Sequence, residues 1–193
     1  MAEIWGPAHT AEGESAWQQF GNWENVFRYL EEKKYEDALE HADYLIVQID
    51  SDQSEHVNFG VSQRENGQEL SAEEIVDRVA GRLRQFFEPG HLEFYGERII
   101  FAICVRDLEC WLLPLWDESK ASKTVGCLAA LNRALSRQNQ TAINPEEKCP
   151  ELYDRISKDY RKKDELLRKG VRNPSLKLFL EALDSRRFQG SGD

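Results

Sequence analysis

The chain has 193 residues, 40% hydrophobic and 31% charged, which bounds it to one domain or one with a small appendage and excludes a fibrous or globally disordered chain. Its strongest apolar runs, Ile99 to Val105 and Leu108 to Trp116, are interrupted by Arg106, Asp107 and Glu109, well short of the roughly 20 residues a bilayer demands, and the first ten residues carry neither the basic region nor the apolar core of a secretory leader. The net charge of −10 argues against a uniformly basic nucleic-acid coat, yet residues 155–187 hold 11 Lys and Arg against 5 Asp and Glu, a local +6 that leaves −16 on the rest.

In chain order, Ala16 to Glu32 places Trp17, Phe20, Trp23, Phe27 and Leu30 at helical spacing, with Gly21 and Asn22 as a break point. Lys33 to His41 predicts a second short helix, with Tyr35, Ala38 and Leu39 on one side. Tyr44 to Ile49 is a nearly continuous β-prone run, the pattern of a strand buried on both faces. A polar stretch follows to Leu70, long enough to be a functional loop. Ser71-Ala72-Glu73-Glu74 is a capping box, and it opens a helix whose apolar stripe includes Ile75, Val79 and Leu83 and which ends at Pro89-Gly90. Arg98 to Val105 predicts a second buried strand feeding a helix through Asp107-Leu108-Glu109-Cys110-Trp111-Leu112-Leu113. Strand, helix, strand in that order predicts a crossover with parallel strands, so Asp50, Asp52, Asp107 and Glu109 fall at one carboxyl edge, where open α/β sheets bind ligands.

Beyond Trp116 the pattern is helical: Lys120 to Arg137, a linker at 145–150, a long charged helix over Glu151 to Lys169, and a last helix capped by Asn173-Pro174 that buries Leu176, Phe179, Leu180 and Leu183. The fold class is therefore α/β, a parallel sheet flanked by helices over 1–118, with a helical extension at 119–188 and a flexible tail at 189–193. Cys104, Cys110, Cys127 and Cys149 form no CxxC pair. They predict no structural zinc, with Cys104 and Cys110 as buried hydrophobes in a reduced, cytoplasmic compartment.

Asp50-x-Asp52 directly after a buried strand is the strongest chemical signal. Alternate residues of an extended segment point the same way, and paired carboxylates suit Mg²⁺ or Mn²⁺. Glu55 and His56 are candidate outer ligands, while turn formation is the competing reading. Glu109 sits among residues that favour burial, where a carboxylate must be paired, protonated or metal-bound. Lys158, Arg161, Lys162, Lys163, Arg168 and Lys169 form a candidate nucleic-acid-binding set, with a solvated helix face as the alternative. His9 reads as a surface imidazole ahead of a ligand, and Trp5, Trp17 and Trp23 as core aromatics ahead of base-stacking platforms.

Glu12-Gly13-Glu14-Ser15 before a helix, followed by a buried strand ending Asp-x-Asp, resembles the Toprim domain of topoisomerases, primases, recombination proteins and OLD-family nucleases. Asp107 to Leu113 is similar to the Glu-x-Glu-Ala-Trp-Leu-Leu-type motif of small bacterial Toprim-like proteins, some linked to phage defence or retron reverse transcriptases. The resemblance spans Glu12 to Trp116. It implies Glu12 and Glu109 as catalytic acids, with Glu14 as the fallback for Glu12, and Asp50, Asp52 and Glu109 as metal ligands. It implies Mg²⁺ or Mn²⁺ as cofactor, nucleic acid as substrate with DNA ahead of RNA, and a defence-system protein or a second copy as further partners. One departure is that residues 1–10, with Gly6-Pro7, are weakly strand-like where the family has an apolar strand. A haloacid-dehalogenase-like phosphatase, suggested by Asp50-x-Asp52-x-Ser54, and a non-catalytic binding module are the alternatives.

Overall fold

The computed structural model describes residues 23–147 and 149–186. The chain is mixed α/β and 56% helical, with a small two-stranded parallel sheet flanked by helices. Helices α1 (Trp23–Glu31) and α2 (Lys34–His41) lead into β1 (Leu45–Asp50). A short antiparallel hairpin, β2 (Arg64–Glu65) and β3 (Gln68–Glu69), interrupts the polar stretch. Its turn is Asn66-Gly67, and both residues adopt the positive φ that a tight hairpin of this kind requires, 50° and 81°. Helix α3 (Ala72–Arg84) then crosses to α4 (His91–Tyr95) and β4 (Ile99–Cys104). The capping box forms as expected: Ser71 Oγ accepts from the Glu74 amide and Glu74 accepts from the Ser71 amide.

β1 and β4 pair in parallel, with Leu45 opposite Ile99 and Asp50 opposite Cys104. Leu45, Val47 and Ile49 join Ile99 and Ile103 on one face, where α1, α2 and α3 supply Leu30, Tyr35, Val79 and Leu83. Each of these side chains contributes about 1.5–3 kcal/mol through burial. The opposite face differs between the strands. Ala102 and Cys104 of β4 are covered by Trp111 and by Leu176 and Leu180 of α9 (Pro174–Asp184). Ile46 and Gln48 of β1 are exposed, which corrects the expectation of a strand buried on both faces. Among the described residues α9 packs along β4, and this face of β1 carries no such cover.

The helical remainder starts with α5 (Glu109–Trp116), and α6 (Cys127–Arg137) packs against it. Helix α6 begins seven residues later than its pattern predicts, because Gly126 at φ 64° ends the preceding turns. The charged stretch after residue 150 is not one helix. It comprises α7 (Pro150–Ser157), a 3₁₀ turn over Lys158–Arg161, and α8 (Lys163–Glu165), which widens into a π turn over Leu166–Gly170. Lys162 is extended at the break. At the end of the π turn Gly170 packs closely under α9, where a Cβ would meet Leu176 Cδ2 at 3.1 Å and Leu180 Cδ1 at 3.2 Å. Asn173 caps α9 by accepting from the Leu176 amide at 3.1 Å. Among the described residues no helix is long and apolar enough to cross a membrane.

Cys110 is bonded to Cys127, which ties α5 to α6. Cys104 and Cys149 are free. This corrects the reading of Cys110 as a lone buried hydrophobe and of all four thiols as reduced. The two partners sit 17 residues apart, with no sequence motif to mark them.

Candidate functional site

Strand pairing builds the site, because it carries the hydrogen-bond ladder past the ends of both strands. The Ser51 amide donates to Cys104 O at 3.0 Å and the Asp52 amide donates to Arg106 O at 3.1 Å. The Arg106 amide in turn donates to Ser51 Oγ at 2.8 Å. Arg106 turns the second segment with a φ of 68°. Asp50-Ser51-Asp52 and Arg106-Asp107 are thereby zipped together at one edge. Ser51 is fully buried. Its carbonyl also accepts from Gln63 Nε2 at 2.5 Å, so the long loop braces the turn from behind. Gln63 is 1% exposed and its Nε2 also reaches Ser54 Oγ at 2.9 Å.

The acidic residues at this edge differ in environment. Asp50 accepts from Gln48 Nε2 at 2.9 Å and lies opposite Cys104. Burial pushes the Cys104 thiol well up, and the Asp50 charge beside it and the more distant Glu109 add to the effect. Asp52 is exposed, and both its carboxylate oxygens accept from Gln53, one from the amide at 2.9 Å and one from the side chain at 3.2 Å. Both bonds come from the next residue, so the carboxylate is engaged within its own loop. Glu109 is 2% exposed at the start of α5 and accepts a hydrogen bond from the Tyr153 hydroxyl. Burial raises the Tyr153 phenol far above its ordinary range, followed by the hydrogen bond to Glu109 and the charges of Glu109, Asp50 and Asp107.

Glu109 is thus engaged by Tyr153, whereas Asp52 is turned into its own loop. Among the described residues one trio, Asp37, Glu40 and His41 on the exposed face of α2, brings its ligand atoms within 4.8 Å of one another. Asp50, Asp52 and Glu109 are not such a trio. Glu55 accepts from the Gln63 amide at 3.3 Å, and His56 Nδ1 from the Asn58 amide at 3.2 Å, so both serve the loop. Trp23 packs on Phe27, His56 and Phe59, with ring centroids 5.2–5.3 Å apart. Glu12, Glu14, His9, Trp5 and Trp17 lie outside the described residues.

Four residues of the basic set after residue 157 form ion pairs, which leaves the segment's surplus of positive charge in place. Arg161 pairs with Asp154. Lys162 pairs with Asp159 at 3.1 Å, Arg168 with Glu165 at 2.7 Å, and Lys169 with Glu165 at 3.5 Å. Lys158 and Lys163 form no ion pair among the described residues. A cleft of about 610 Å³ is lined by Phe59, Gly60, Arg78 and Arg82. Its arginines are engaged: Arg78 with Glu65 at 2.8 Å, and Arg82 with Phe59 O at 3.0 Å while stacked over Phe86. A second cleft, of about 410 Å³, gathers Lys120, Arg133 and Arg137. Asp117 holds two of these, Arg137 at 2.7 Å and Lys120 at 3.3 Å.

Tyr153 and Gln63 are the site residues with no motif of their own. The single available signal for Tyr153 was its place beside Leu152 and near Ile156, the apolar anchors of an otherwise charged segment. Comparison with protein-family models, with curated proteins and with solved structures gives no match.

Proposed function

We propose that the chain is a metal-dependent nuclease or phosphotransfer enzyme of Toprim type that acts on nucleic acid, DNA ahead of RNA, in bacterial antiphage defence. The observation that carries this reading is Glu109, a carboxylate 2% exposed at the same strand edge as Asp50 and held there by the Tyr153 hydroxyl. Buried carboxylates at a strand edge are candidates for chemistry. Oxygen-only donors of this kind fit a hard divalent cation. Asp50 and Glu109 would hold Mg²⁺ or Mn²⁺, with Asp52 joining if its bonds to Gln53 are released. Such an ion supplies charge neutralisation at a phosphate and a more acidic bound water. The chain's own part is to fix the carboxylates: Gln48 orients Asp50, and the Ser51–Arg106 link keeps both loops in register. Glu12 is the proposed further acid.

A binding module without catalysis has one observation in its favour, the engagement of both Asp52 oxygens by Gln53. Calorimetric titration with Mn²⁺ separates the two readings. Saturable binding that Asp50→Ala removes supports the enzyme, and absence of binding selects the module.

A further inference from the structure

The chain carries 35 Asp and Glu in 193 residues, yet none falls between Ser119 and Pro145, where Lys120, Lys123, Arg133 and Arg137 stand. The fold gathers three of these cations at the cleft of about 410 Å³ beside α6. Arg133, Ser136 and Arg137 are spaced i, i+3 and i+4 and so share one face of that helix. Lys120 reaches the same cleft from a 3₁₀ turn over Glu118–Lys120. The lining includes no acid, and its one amide, Asn132, is committed to Ile143 O and N at 2.9 and 2.7 Å. Asp117 pairs with Arg137 and Lys120, which leaves a surplus of two positive charges. The partial charge at the C-terminal end of α6, about half a unit negative, does not cancel it. Arg133 is exposed and forms no ion pair among the described residues.

Glu118, next to Asp117, extends this surface. It pairs with Arg172 at 2.5 Å and with Arg168 at 3.9 Å, and Arg168 and Lys169 share Glu165. The turn at Asp117-Glu118 therefore joins the α6 cations to those of residues 168–172. Six basic side chains meet three carboxylates, which hold the guanidinium groups in place without neutralising the band. A guanidinium offers paired donors that match phosphate oxygens. A basic band that continues beyond one cleft suits a chain of phosphates better than a single small anion. We propose that the Lys120, Arg133 and Arg137 cleft, continued by Arg168 and Arg172, binds the phosphodiester backbone of nucleic acid, with Arg133 as the contact left open by the fold. The choice of nucleic acid as the polyanion rests on the functional reading above, and the surface uses none of the residues of the Asp50 edge.

The test is binding of a fluorescein-labelled DNA duplex to the full chain in EDTA, followed by anisotropy over a salt series, for wild type, Arg133→Gln and Arg28→Gln, with thermal melting of all three. Arg28 is an exposed arginine on α1 and controls for net charge. The expected result is a Kd raised about tenfold at low salt in Arg133→Gln, with the slope of log Kd against log salt reduced by about one. Arg28→Gln should bind as wild type does. An Arg133→Gln Kd within twofold of wild type with an unchanged slope overturns the proposal and leaves the functional reading standing. An equal loss in Arg28→Gln overturns it as well, since binding would then follow net charge alone. Inorganic phosphate that displaces the label as effectively as the same concentration of phosphate in unlabelled duplex would assign the cleft to a small anion and overturn it. Absence of duplex binding by wild type overturns both the proposal and the nucleic-acid part of the functional reading.

Discussion

Asp50 and Cys104 face each other as the last register pair of the parallel sheet. The turn at Ser51-Asp52 and the segment from Arg106 to Glu109 are placed by what the chain does in the few positions after that pair. β1 enters the Asp50-Ser51-Asp52 turn and β4 enters Arg106-Asp107 before α5, and Ser51 joins the two.

Ser51 is fully buried, and its hydroxyl satisfies the Arg106 amide at 2.8 Å. Ser51→Ala leaves that amide without its acceptor and should cost about 1–3 kcal/mol, read as a shift of the urea midpoint. Gln63→Leu should act in the same direction by removing the donor to Ser51 O. A midpoint unchanged in both variants would show that the zipped loops add nothing to stability.

The Cys110–Cys127 bond closes a loop of 17 residues, which in the chain-entropy account stabilises by about 3 kcal/mol. Thiol titration of unfolded, unreduced protein should count the two free cysteines, Cys104 and Cys149, and all four after reduction. Cys110→Ser with Cys127→Ser should lower stability by a similar amount. Four reactive thiols before reduction would contradict the pairing.

Asp117 has its carboxyl lowered to about 2, chiefly by the Ser119 hydroxyl and then by Arg137, with Lys120 adding to the effect. The folded-state value lies below the unfolded one, so this contribution is complete above the unfolded value near 4 and fades as pH falls toward 2. Asp117→Asn should destabilise the protein at pH 7 and reduce the stability lost between pH 5 and pH 2. An identical loss in both proteins over that window would remove Asp117 from the account.

Asn173 is fully buried, caps α9, and donates to Cys110 O and Lys123 O at 3.2 Å each. Asn173→Ala removes a cap worth about 1 kcal/mol and orphans buried carbonyls at about 1–3 kcal/mol. A loss of at least about 2 kcal/mol is expected in chemical unfolding, and less than 0.5 kcal/mol would contradict the role (roughly the scatter of surface substitutions).

The elements that were legible in the sequence are those set by local chemistry. The Ser71-to-Glu74 capping box, the Asn173-Pro174 start of α9 and the two apolar strand runs each carry their signal within a few residues. The parallel pairing and the shared edge for Asp50 and Glu109 followed from element order. What was not legible depends on distant packing. Asn66-Gly67 did mark its hairpin, but it lay inside a stretch read as loop. The break at Lys162 has no local breaker in sequence, and beyond it Leu166 packs against the cluster that holds Leu176 and Leu180. Tyr153 reaches Glu109 from α7, and the Cys110–Cys127 pair is formed by the packing of α5 on α6. Turn formation at Asp52 was visible as an alternative, and in this structure both its carboxylate oxygens accept from Gln53.

The central claim is that the edge around Asp50 and Glu109 performs metal-dependent chemistry on a phosphodiester. Its most direct test is cleavage of an end-labelled DNA duplex and single strand with Mg²⁺ or Mn²⁺, by wild type and by Asp50→Ala of matched melting temperature. The expected result is metal-dependent cleavage that falls by on the order of a hundredfold or more in the variant, the loss of several kcal/mol of charge stabilisation. Cleavage by Asp50→Ala at the wild-type rate would contradict it.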